Sequence, residues 1–402
     1  MSSPVSTPTA FAALGVPADI DAGLAAAGFA APFAIQTEAI PVAMQGHDVC
    51  GRARTGSGKT LAFGVPALSR IAKNAAPRFP HGLVLVPTRE LALQVAEVLE
   101  PIAKACGMKV LAVYGGASRD KQIEELEKGV ELIVATPLRL IDLMKADEVS
   151  LDKISVAILD EADRMADMGF MPAVKRIMRA VSKSRQTLLF SATLDGDVDA
   201  LIKEFQNSPK KHQIAAAENA GEIDHLFWNV GREDRTRMVA EIATHYERAI
   251  VFCRTKHGSD RLAKNLDSMG MSTCVIHGNR SQAQREKALE QFRRGKATVM
   301  VATDVAARGI HIDAVPVVIH FDLPEDPKDY IHRSGRTGRA GQKGVVISLI
   351  DKSMRRSTGQ LTKGMKFEVN YVDPDFEAIS LPTKPIRPGE IGTVKALSLQ
   401  RA

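Results

Sequence analysis

The sequence has 402 residues, too many for one ordinary hydrophobic core, and this length predicts two domains. Hydrophobic residues make up 45% and charged residues 25% of the chain, which is typical of a soluble globular protein. The formal net charge is +6 and the isoelectric point about 9.1, a mild basicity that is compatible with nucleic-acid binding without establishing it.

The composition argues against several classes of protein. The N-terminal stretch MSSPVSTPTA has neither a positively charged region nor an apolar core, so a signal peptide is not expected. No apolar run is long enough to span a membrane. The four cysteines lie singly and without metal-ligand spacing, so we expect buried, reduced thiols in a cytoplasmic protein.

Short apolar runs alternate with longer helical stretches along the chain. In chain order the runs lie at 82–86, 132–135, 156–159, 187–190, 249–252, 273–276, 298–302, 315–321 and 344–350. They are almost continuously apolar, as are strands that are buried on both faces of a parallel sheet. Helical patterns between them include residues 90–104, 120–128 and 282–294. This alternation predicts doubly wound α/β sheets.

The alternation is interrupted once, from Gln206 to Ile223, where proline, alanine, glycine and charge replace the apolar period. We interpret this stretch as the exit of one domain and the linker to the next. The predicted boundaries are a disordered N-terminus at 1–10, a first domain at 11–207, a linker at 208–222, a second domain at 223–371 and a proline-containing tail at 372–402.

Polar clusters follow directly on the apolar runs in both halves. Examples are PTRE at 87–90, DEAD at 160–163, SAT at 191–193 and HGN at 277–279. In open α/β sheets, ligands bind outside the carboxyl ends of the strands. We therefore expect the functional groups of each half to collect at one edge of its sheet.

The stretch ARTGSGKT, residues 53–60, has the pattern of a phosphate-binding loop (P-loop) between a strand and a helix. Its glycines let backbone N–H groups face phosphate oxygens, Lys59 neutralises charge, and Thr60 is suited to ligate Mg²⁺. Ala53 stands where the general pattern has glycine. The predicted nucleotide-binding residues are Ala53, Arg54, Thr55, Gly56, Ser57, Gly58, Lys59 and Thr60.

An acidic cluster at the end of the run 156–159 supplies the second part of such a site. Asp160 is predicted to hold Mg²⁺ through water, and Glu161 to orient or activate the attacking water. A solvated acidic loop is the alternative interpretation. The P-loop upstream and the buried run directly before the acids favour catalysis.

With these two sites the chain resembles a DEAD-box RNA helicase over residues 11–350, and Asp160-Glu161-Ala162-Asp163 spells the box itself. The resemblance implies two tandem RecA-like domains joined by a short linker. It also implies an ATP-dependent RNA helicase, an ATP hydrolase that remodels RNA locally with little sequence preference. ATP and Mg²⁺ are the cofactors expected from it.

The segment GFAAPFAIQ, residues 28–36, resembles the adenine-recognising Q motif of that family. By resemblance, Gln36 reads the adenine edge, Phe29 packs on the ring, and Phe11 is the isolated upstream aromatic of the same element. An amide donates and accepts at once, which matches the adjacent N6 donor and N7 acceptor of adenine. ATP is therefore expected rather than GTP.

Further stretches of the first domain resemble RNA-contacting and coupling motifs. The hydroxyls of Ser191 and Thr193 are expected to reach Asp163 and so couple ATP to RNA. Short donors, bare backbone and cations suit phosphates and 2′-hydroxyls. The predicted RNA-binding residues here are Pro87, Thr88, Arg89, Gly116, Thr136, Pro137 and Arg139.

The second domain carries its own set of family-like motifs, of which HRSGRTGR at 332–339 is the most specific. By resemblance, Arg336 and Arg339 are arginine fingers on the γ-phosphate, and His332 links to the acidic box; arginine keeps its charge and grips phosphate bidentately. The predicted RNA-binding residues are Arg254, Gly278, Gln282, Arg285, Thr303 and Asp304.

Two positions depart from the family pattern. Leu138 stands where the family commonly has glycine, and leucine would be strained there if the backbone required a positive φ. His311 stands where the family usually has an aspartate on the ribose side. We expect His311 to contact the nucleotide as a hydrogen-bonding group without negative charge.

Three functions remain open from the sequence. The first is an ATP-dependent RNA helicase. The second is a related DNA-acting helicase, against which the adenine segment and the box argue. The third is an ATP-gated RNA clamp with slow turnover, although Lys59, Glu161, Arg336 and Arg339 favour retained hydrolysis. The expected partner is RNA, with no membrane, and the chain is expected to be a monomer.

Overall fold

A computed structural model describes residues 9–52, 57–194, 196–213, 223–304, 315–338, 343–363, 365 and 369–377. The chain separates into two compact units, Met1–Ala217 and Glu218–Ala402. The predictions made for Ala53, Arg54, Thr55, Gly56, His311 and Arg339 lie outside the described residues, and so does the side chain of Gln282.

The described part of the first unit forms a seven-stranded sheet in the order β3-β4-β2-β5-β6-β1-β7, with every pair parallel. Its strands are β1 (Val49–Arg52), β2 (Gly82–Leu85), β3 (Val110–Val113), β4 (Leu132–Ala135), β5 (Val156–Asp160), β6 (Gln186–Ser191) and β7 (Lys210–Gln213). Its helices are α1 (Ala18–Ala26), α2 (Ala34–Met44), α3 (Lys59–Arg70), α4 (Arg89–Ala105), α5 (Arg119–Glu127), α6 (Pro137–Lys145), α7 (Ala162–Asp167), α8 (Met171–Ala180) and α9 (Gly196–Phe205).

The described part of the second unit forms another parallel seven-stranded sheet, in the order β10-β11-β9-β12-β13-β8-β14. Its strands are β8 (Ile223–Asn229), β9 (Ala249–Phe252), β10 (Thr273–Ile276), β11 (Val299–Ala302), β12 (Val317–His320), β13 (Gly344–Ile350) and β14 (Tyr371–Val372). Its helices are α10 (Arg235–Tyr246), α11 (Lys256–Ser268), α12 (Gln282–Arg293), α13 (Pro327–Ser334) and α14 (Arg355–Thr362). Numbered from its own first strand, each sheet has the same order, so one topology occurs twice.

Each sheet is covered by apolar packing on both faces. In β2, Val84 belongs to one buried cluster of the first unit and Leu83 and Leu85 to the other. In β9, Val251 and Ile250 divide in the same way between the two clusters of the second unit. Successive residues of a strand point to opposite faces, so two buried faces require an uninterrupted apolar run. All nine predicted strands are present, and the predicted doubly wound parallel architecture is confirmed.

The edges of the sheets differ from the sequence prediction. Strand β7 pairs in parallel with β1, so the first sheet continues to Gln213 and the linker predicted from residue 208 begins too early. Strand β14 pairs with β8, and Phe376 packs edge-on against Trp228, so the predicted tail from residue 372 starts inside the fold. At the N-terminus, the Thr9 N–H donates to Asp21 Oδ2 at 2.9 Å, within the stretch predicted to be disordered.

Asp48 fixes the amino ends of three adjacent strands in the first sheet. Its Oδ1 accepts from the Thr187 N–H at 2.7 Å, and its Oδ2 accepts from the Asn207 N–H at 2.6 Å. Its carbonyl oxygen accepts from the Lys210 N–H at 2.8 Å. Asp48 is buried, so loss of the carboxylate would leave two backbone donors without partners.

Two histidines of the second unit, the partly buried His225 and the buried His320, make polar contacts inside the fold. His225 Nδ1 lies 3.0 Å from the Tyr330 hydroxyl, and His320 Nδ1 lies 3.2 Å from Ser348 Oγ. Burial lowers the pKa of His225 to about 4. Burial also lowers the pKa of His320 well below its usual value, and the nearby Arg333 guanidinium adds to this. Both imidazoles are therefore neutral in the folded protein at mildly acidic pH.

We predict that Asp48→Ala lowers the free energy of unfolding by about 2–5 kcal/mol, because two buried N–H groups lose their acceptor. Urea unfolding followed by far-UV circular dichroism measures the change. Asp142→Ala, at an exposed position of α6, is the matched control and is expected to stay within about 0.5 kcal/mol of wild type. Equal midpoints for the two variants would contradict the role assigned to Asp48.

We predict that the second unit loses stability as the pH falls below about 6.5. At that pH His225 and His320 bind protons in the unfolded chain but stay neutral in the folded protein. The stability is fully present above the unfolded pKa and falls by roughly 1 kcal/mol per histidine between pH 7.5 and 5.5. Trp228, the single buried tryptophan of the chain, reports the urea transition by fluorescence. In His225→Gln this pH dependence should be reduced, and an unchanged dependence would refute the assignment.

Candidate functional site

The phosphate-loop helix begins at the carboxyl edge of the first sheet. Gly58, at φ +84°, is the residue before α3, and this left-handed backbone is one that glycine adopts without strain. Lys59 and Thr60 then form the first turn, where free backbone N–H groups and the helix dipole favour an anion. The Ser57 hydroxyl is buried with no partner among the described residues, so it is available to a phosphate oxygen.

Lys59 and Asp160 meet at this edge although they are 101 positions apart in the sequence. Lys59 Nζ lies 3.5 Å from Asp160 Oδ1, and both side chains are buried. Asp160 ends β5 and is 3% exposed. A buried charge is costly unless it is paired, and the opposite charges of Lys59 and Asp160 pair here. This arrangement joins the predicted phosphate and metal residues in one site.

Glu161 follows Asp160 in a left-handed conformation, at φ +52° and ψ +49°, which is uncommon for a residue with a side chain. Its Oε2 accepts from Arg164 Nη1 at 2.9 Å, and both side chains are buried. The Glu161 N–H donates to Asp160 Oδ1 at 2.9 Å. Backbone strain of this kind is typical of functional sites. The consecutive carboxylates of Asp160 and Glu161 therefore contact different cations, Lys59 and Arg164.

Asp163 contacts the SAT segment at the end of β6. Its Oδ2 accepts from the Ala192 N–H at 3.2 Å and from the Thr193 N–H at 3.1 Å. The Thr193 hydroxyl lies 3.5 Å from the same oxygen. The Ser191 hydroxyl instead accepts from the Asp163 N–H at 3.1 Å. The structure thus brings the three predicted coupling residues of this unit together, mainly through backbone donors.

The donors at this edge fit Mg²⁺ bound in the manner of nucleotide enzymes. Mg²⁺ takes oxygen ligands, keeps several waters, and is commonly held by one or two carboxylates together with substrate phosphates. Asp160 and the Thr60 hydroxyl are oxygen donors of this kind. No cluster of three or more metal-binding side chains occurs in the described ranges.

The adenine-type segment meets the P-loop helix through Gln36. Its Oε1 accepts from the Phe33 N–H at 2.9 Å, and its Nε2 donates to the Gly58 carbonyl at 2.8 Å. Gln36 is 1% exposed. The amide retains one hydrogen and one lone pair beyond these two bonds. Gln36 therefore links the start of α2 to the start of α3.

The two aromatic residues predicted for this segment differ in position. Phe11 is completely buried in the core of the first unit, and its predicted contribution to nucleotide binding stays a prediction. Phe29 is half-buried and packs against the same core. The resemblance alone identified Phe11 as the upstream aromatic residue. Its position in the structure follows from its packing in the core.

The predicted RNA residues of the first unit surround the loop at Gly116. Thr88 caps α4 by accepting from the Leu91 N–H at 3.3 Å. Arg89 Nη1 lies 2.6 Å from the position that a Cβ on Gly116 would occupy, and Gly116 has φ +87°. Arg139 Nη1 donates to Gln122 Oε1 at 3.1 Å, and both its Nη atoms reach the Ala117 carbonyl at 3.3–3.4 Å. Arg139 is therefore hydrogen-bonded to this loop, and Arg89 lies beside it.

Thr136 and Pro137 begin α6, with Pro137 at the first helical position, where its missing N–H costs nothing. Leu138 follows in the same helix with ordinary backbone geometry and is 57% exposed. The strain considered for this leucine is absent because its φ is not positive. Its exposed side chain adds an apolar group to an edge otherwise lined with donors.

The second unit presents a similar edge. The exposed Arg254 follows β9, and its N–H donates to Asp322 Oδ2 at 2.9 Å. Lys256 Nζ donates to Asn279 Oδ1 at 2.7 Å beside Gly278. His277 is buried, with Nε2 3.0 Å from Asp260 Oδ1. Gln282 begins α12, and Arg285 lies one turn later.

Asp304 forms an ion pair within the second unit, which the sequence did not indicate. Both its oxygens accept from Arg333, Oδ1 from Nε at 2.5 Å and Oδ2 from Nη2 at 2.6 Å. Arg333 Nη1 also donates to the Asp322 carbonyl at 2.6 Å, and its guanidinium lies 5.1 Å from the Phe252 ring centroid. Asp304 thus forms a bidentate ion pair within the unit, and its predicted contact with RNA stays a prediction. Thr303 lies directly after the end of β11.

His332 and Arg333 belong to the last turn of α13, and Arg336 lies in the turn that follows. Arg336 is buried, and its N–H donates to the Arg333 carbonyl at 3.1 Å. Sequence reasoning did not identify Arg164 and Arg333 as functional. Arg333 stands inside HRSGRTGR and Arg164 directly follows the DEAD box, but their ion-pair partners are identified only by the fold.

Comparison with known proteins agrees with this geometry. The sequence model of the DEAD/DEAH box helicase family matches residues 33–201, and that of the helicase conserved C-terminal domain matches residues 234–341. DEAD-box ATP-dependent RNA helicase 20 of Arabidopsis thaliana is 38% identical over 373 residues, which are 90% of this chain and 74% of that protein. ATP-dependent RNA helicase DBP2 of Candida albicans is 38% identical over 362 residues, which are 87% of this chain and 64% of that protein.

The chain spans between 63% and 74% of the length of the first three curated relatives. A solved structure of S. cerevisiae Dbp5 bound to RNA and ADP BeF3 superposes with a TM-score of 0.79 at 30% identity, covering 91% of this chain and 96% of that one. A DEAD box protein from Methanococcus jannaschii gives 0.54 at 33% identity, covering 90% and 99%. The prediction of tandem RecA-like domains is thereby confirmed, and the chain belongs to the family of DEAD-box ATP-dependent RNA helicases.

Proposed function

We propose that this chain hydrolyses ATP in response to RNA and uses the cycle to unwind or remodel RNA locally, with little sequence preference. The observation that carries the proposal is the buried approach of Lys59 and Asp160 at the start of the phosphate-loop helix. It brings a phosphate-neutralising cation and a metal-type carboxylate into one site. The membership in the helicase family supports the same reaction.

In the proposed reaction the first unit binds the nucleotide. Ser57, Lys59 and the N-terminus of α3 hold the phosphates, and Gln36 orients the base edge. Mg²⁺, held by Asp160 and Thr60 through water, would neutralise charge that develops on the phosphates. Glu161 orients the attacking water, and Arg164 holds the Glu161 carboxylate in place. Ala53, Arg54, Thr55 and Gly56 complete the phosphate loop in this proposal.

The second unit contributes arginines and backbone contacts. Arg336 and Arg339 stabilise charge on the γ-phosphate, and His332 couples them to Asp163. His311 hydrogen-bonds the ribose. Catalysis of this kind rests mainly on positioning and charge stabilisation, so neither unit alone should hydrolyse ATP well. ATP and RNA then favour the same paired state of the two units, and their affinities are reciprocally coupled.

RNA binding in the proposal uses backbone and hydroxyl groups at the carboxyl edges of both sheets. Thr88, Arg89, Gly116, Thr136, Pro137 and Arg139 contribute from the first unit. Arg254, Gly278, Gln282, Arg285 and Thr303 contribute from the second. Contacts to phosphates and 2′-hydroxyls predict RNA in preference to DNA and weak sequence dependence.

We also propose that the chain is a cytoplasmic monomer. The four cysteines are all buried and free, which supports a reducing compartment. Burial raises the pKa of Cys50 to about 11 and that of Cys253 to about 12, so these thiols are poor nucleophiles at neutral pH. None of the helices that the structure describes has the length and apolarity needed to cross a bilayer.

We expect single-stranded RNA to stimulate ATP hydrolysis by at least tenfold and a DNA of the same sequence to stimulate it little, because only RNA offers 2′-hydroxyls. Steady-state ATPase assays with RNA, DNA or neither measure this. Equal stimulation by DNA would sink the preference for RNA. No stimulation by RNA would favour a clamp that turns over slowly.

We predict different phenotypes for two neighbouring acids. Glu161→Gln should lower kcat about 100-fold or more and trap ATP and RNA together, since it removes the group that orients water. Asp163→Ala should leave ATPase within about tenfold of wild type but abolish strand separation, because the Ala192 and Thr193 N–H groups lose their acceptor. Parallel ATPase and unwinding assays compare them, and identical phenotypes would undo the division of roles.

A further inference from the structure

A short turn from His277 to Arg280 lies between β10 and α12 and carries Gly278, one of the predicted RNA-binding residues. The Arg280 N–H donates to the His277 carbonyl at 3.0 Å, which closes the turn. Gly278 and Asn279 are exposed at its tip, whereas His277 is 2% exposed. The Gly278 N–H donates to no acceptor among the residues that the structure describes, so it is available to a phosphate oxygen.

Asp260, in the second turn of α11, holds both ends of this turn with one oxygen atom. Its Oδ1 accepts from His277 Nε2 at 3.0 Å and from Arg280 Nη2 at 2.5 Å. Hydrogen bonds to a carboxylate are stronger than those between neutral groups. A single side chain on the neighbouring helix therefore fixes the first and the last residue of the turn.

The His277 imidazole connects Asp260 to the backbone at the tip of the turn. The Asn279 N–H donates to His277 Nδ1 at 3.3 Å, and a backbone N–H can only donate. Nδ1 is therefore the acceptor nitrogen of the ring, so Nε2 carries the proton that Asp260 accepts. Asp260 favours this tautomer, and this tautomer is the one to which Asn279 can donate.

The tip of the turn also lies beside a cation from the start of α11. Lys256 Nζ donates to Asn279 Oδ1 at 2.7 Å. A Cβ built on Gly278 would lie 3.4 Å from Lys256 Cε and 3.6 Å from Nζ, so the ammonium group lies next to the Gly278 backbone. A backbone N–H beside an ammonium group suits a phosphate of RNA. The conformation of the turn determines whether the two groups face the same phosphate.

We propose that Asp260 is a positioning residue for RNA binding. Through His277 it holds the turn that presents the Gly278 N–H and the Lys256 ammonium group to an RNA phosphate. Asp260 acts through these groups and does not itself bind the phosphate, since the two carry charges of the same sign. The inference rests on the proposed RNA binding at the carboxyl edge of the second sheet, and it adds a residue outside the predicted RNA-binding set.

The negative charge of Asp260 distinguishes positioning from a purely electrostatic effect. A carboxylate near a phosphate opposes binding, so removal of its charge alone would tighten RNA binding. Loss of the acceptor for His277 would instead release the turn and weaken RNA binding. The two effects have opposite signs, and the proposal requires that the second exceeds the first.

The test titrates single-stranded RNA into steady-state ATPase assays of the full chain, as wild type and as Asp260→Ala. In Asp260→Ala the RNA concentration that gives half-maximal stimulation should rise about 5- to 30-fold, as expected when a hydrogen bond to a charged group is lost. The kcat at saturating RNA and the KM for ATP should each stay within about twofold of wild type, because the nucleotide-binding residues are unchanged.

Asp260→Asn tests the hydrogen bond to His277 directly. Asparagine keeps a side-chain oxygen that accepts from His277 Nε2, so this variant should need an RNA concentration within about threefold of wild type. Asp267→Ala is the matched control, because it removes the same charge from the same helix. Asp267 accepts from the Thr273 N–H at 3.3 Å and from the Thr273 hydroxyl at 2.6 Å, at the start of β10 and so at the other edge of the sheet. Its RNA response should match wild type.

Asp260 is partly exposed on a helix, so Asp260→Ala is expected to fold, and a urea transition followed by Trp228 fluorescence checks this. Asp260→Leu also lacks an acceptor and should show the same loss of RNA response, which provides a second variant of similar volume. An RNA requirement that is unchanged or lowered in both variants would overturn the proposal. A loss in Asp260→Asn or Asp267→Ala as large as that in Asp260→Ala would overturn it too. Failure of RNA to stimulate the wild-type protein would instead reject the proposed function.

Discussion

The burial of charge at the carboxyl edges of two fully covered sheets is the constraint on which the rest of the structure depends. Central strands packed on both faces leave little room for charge along their length, so the ionised side chains of these strands lie where the strands end. There, Asp160 is 3% exposed and is paired with Lys59. Without such pairing, a buried charge is costly.

The same constraint explains the arginines that support the site. Arg164 neutralises Glu161, and Arg333 neutralises Asp304 with two nearly parallel hydrogen bonds. Arg333 also reaches the Asp322 carbonyl, and Asp322 accepts from the Arg254 N–H, so the ends of β9, β11 and β12 are joined through one guanidinium. Arg164 and Arg333 thus connect the segments that follow the strands. Neighbouring hydroxyl and N–H groups are then available to a ligand.

The central strands were predictable from the sequence because burial on both faces forces runs such as VAIL. The edge strands were not: β7 has the sequence KKHQ, and β3 is only half-buried over Val110, Leu111 and Ala112. Strand-end motifs predicted which residues collect at each edge. They did not predict that Phe11 is buried, that Phe33 is exposed, or that Asp304 pairs with Arg333, because these depend on distances between segments remote in sequence.

The repetition of one strand order in both units bears on how many ATP molecules each chain uses. Strand β1 and strand β8 occupy equivalent positions, and the connection after each would be the phosphate-binding position of its own unit. After β8 the chain reads VGREDR before α10, with one glycine and two acids and no lysine–threonine pair. Among the residues that the structure describes, phosphate-binding features therefore follow β1 and not β8, and under the proposed function each chain is expected to consume one ATP per cycle.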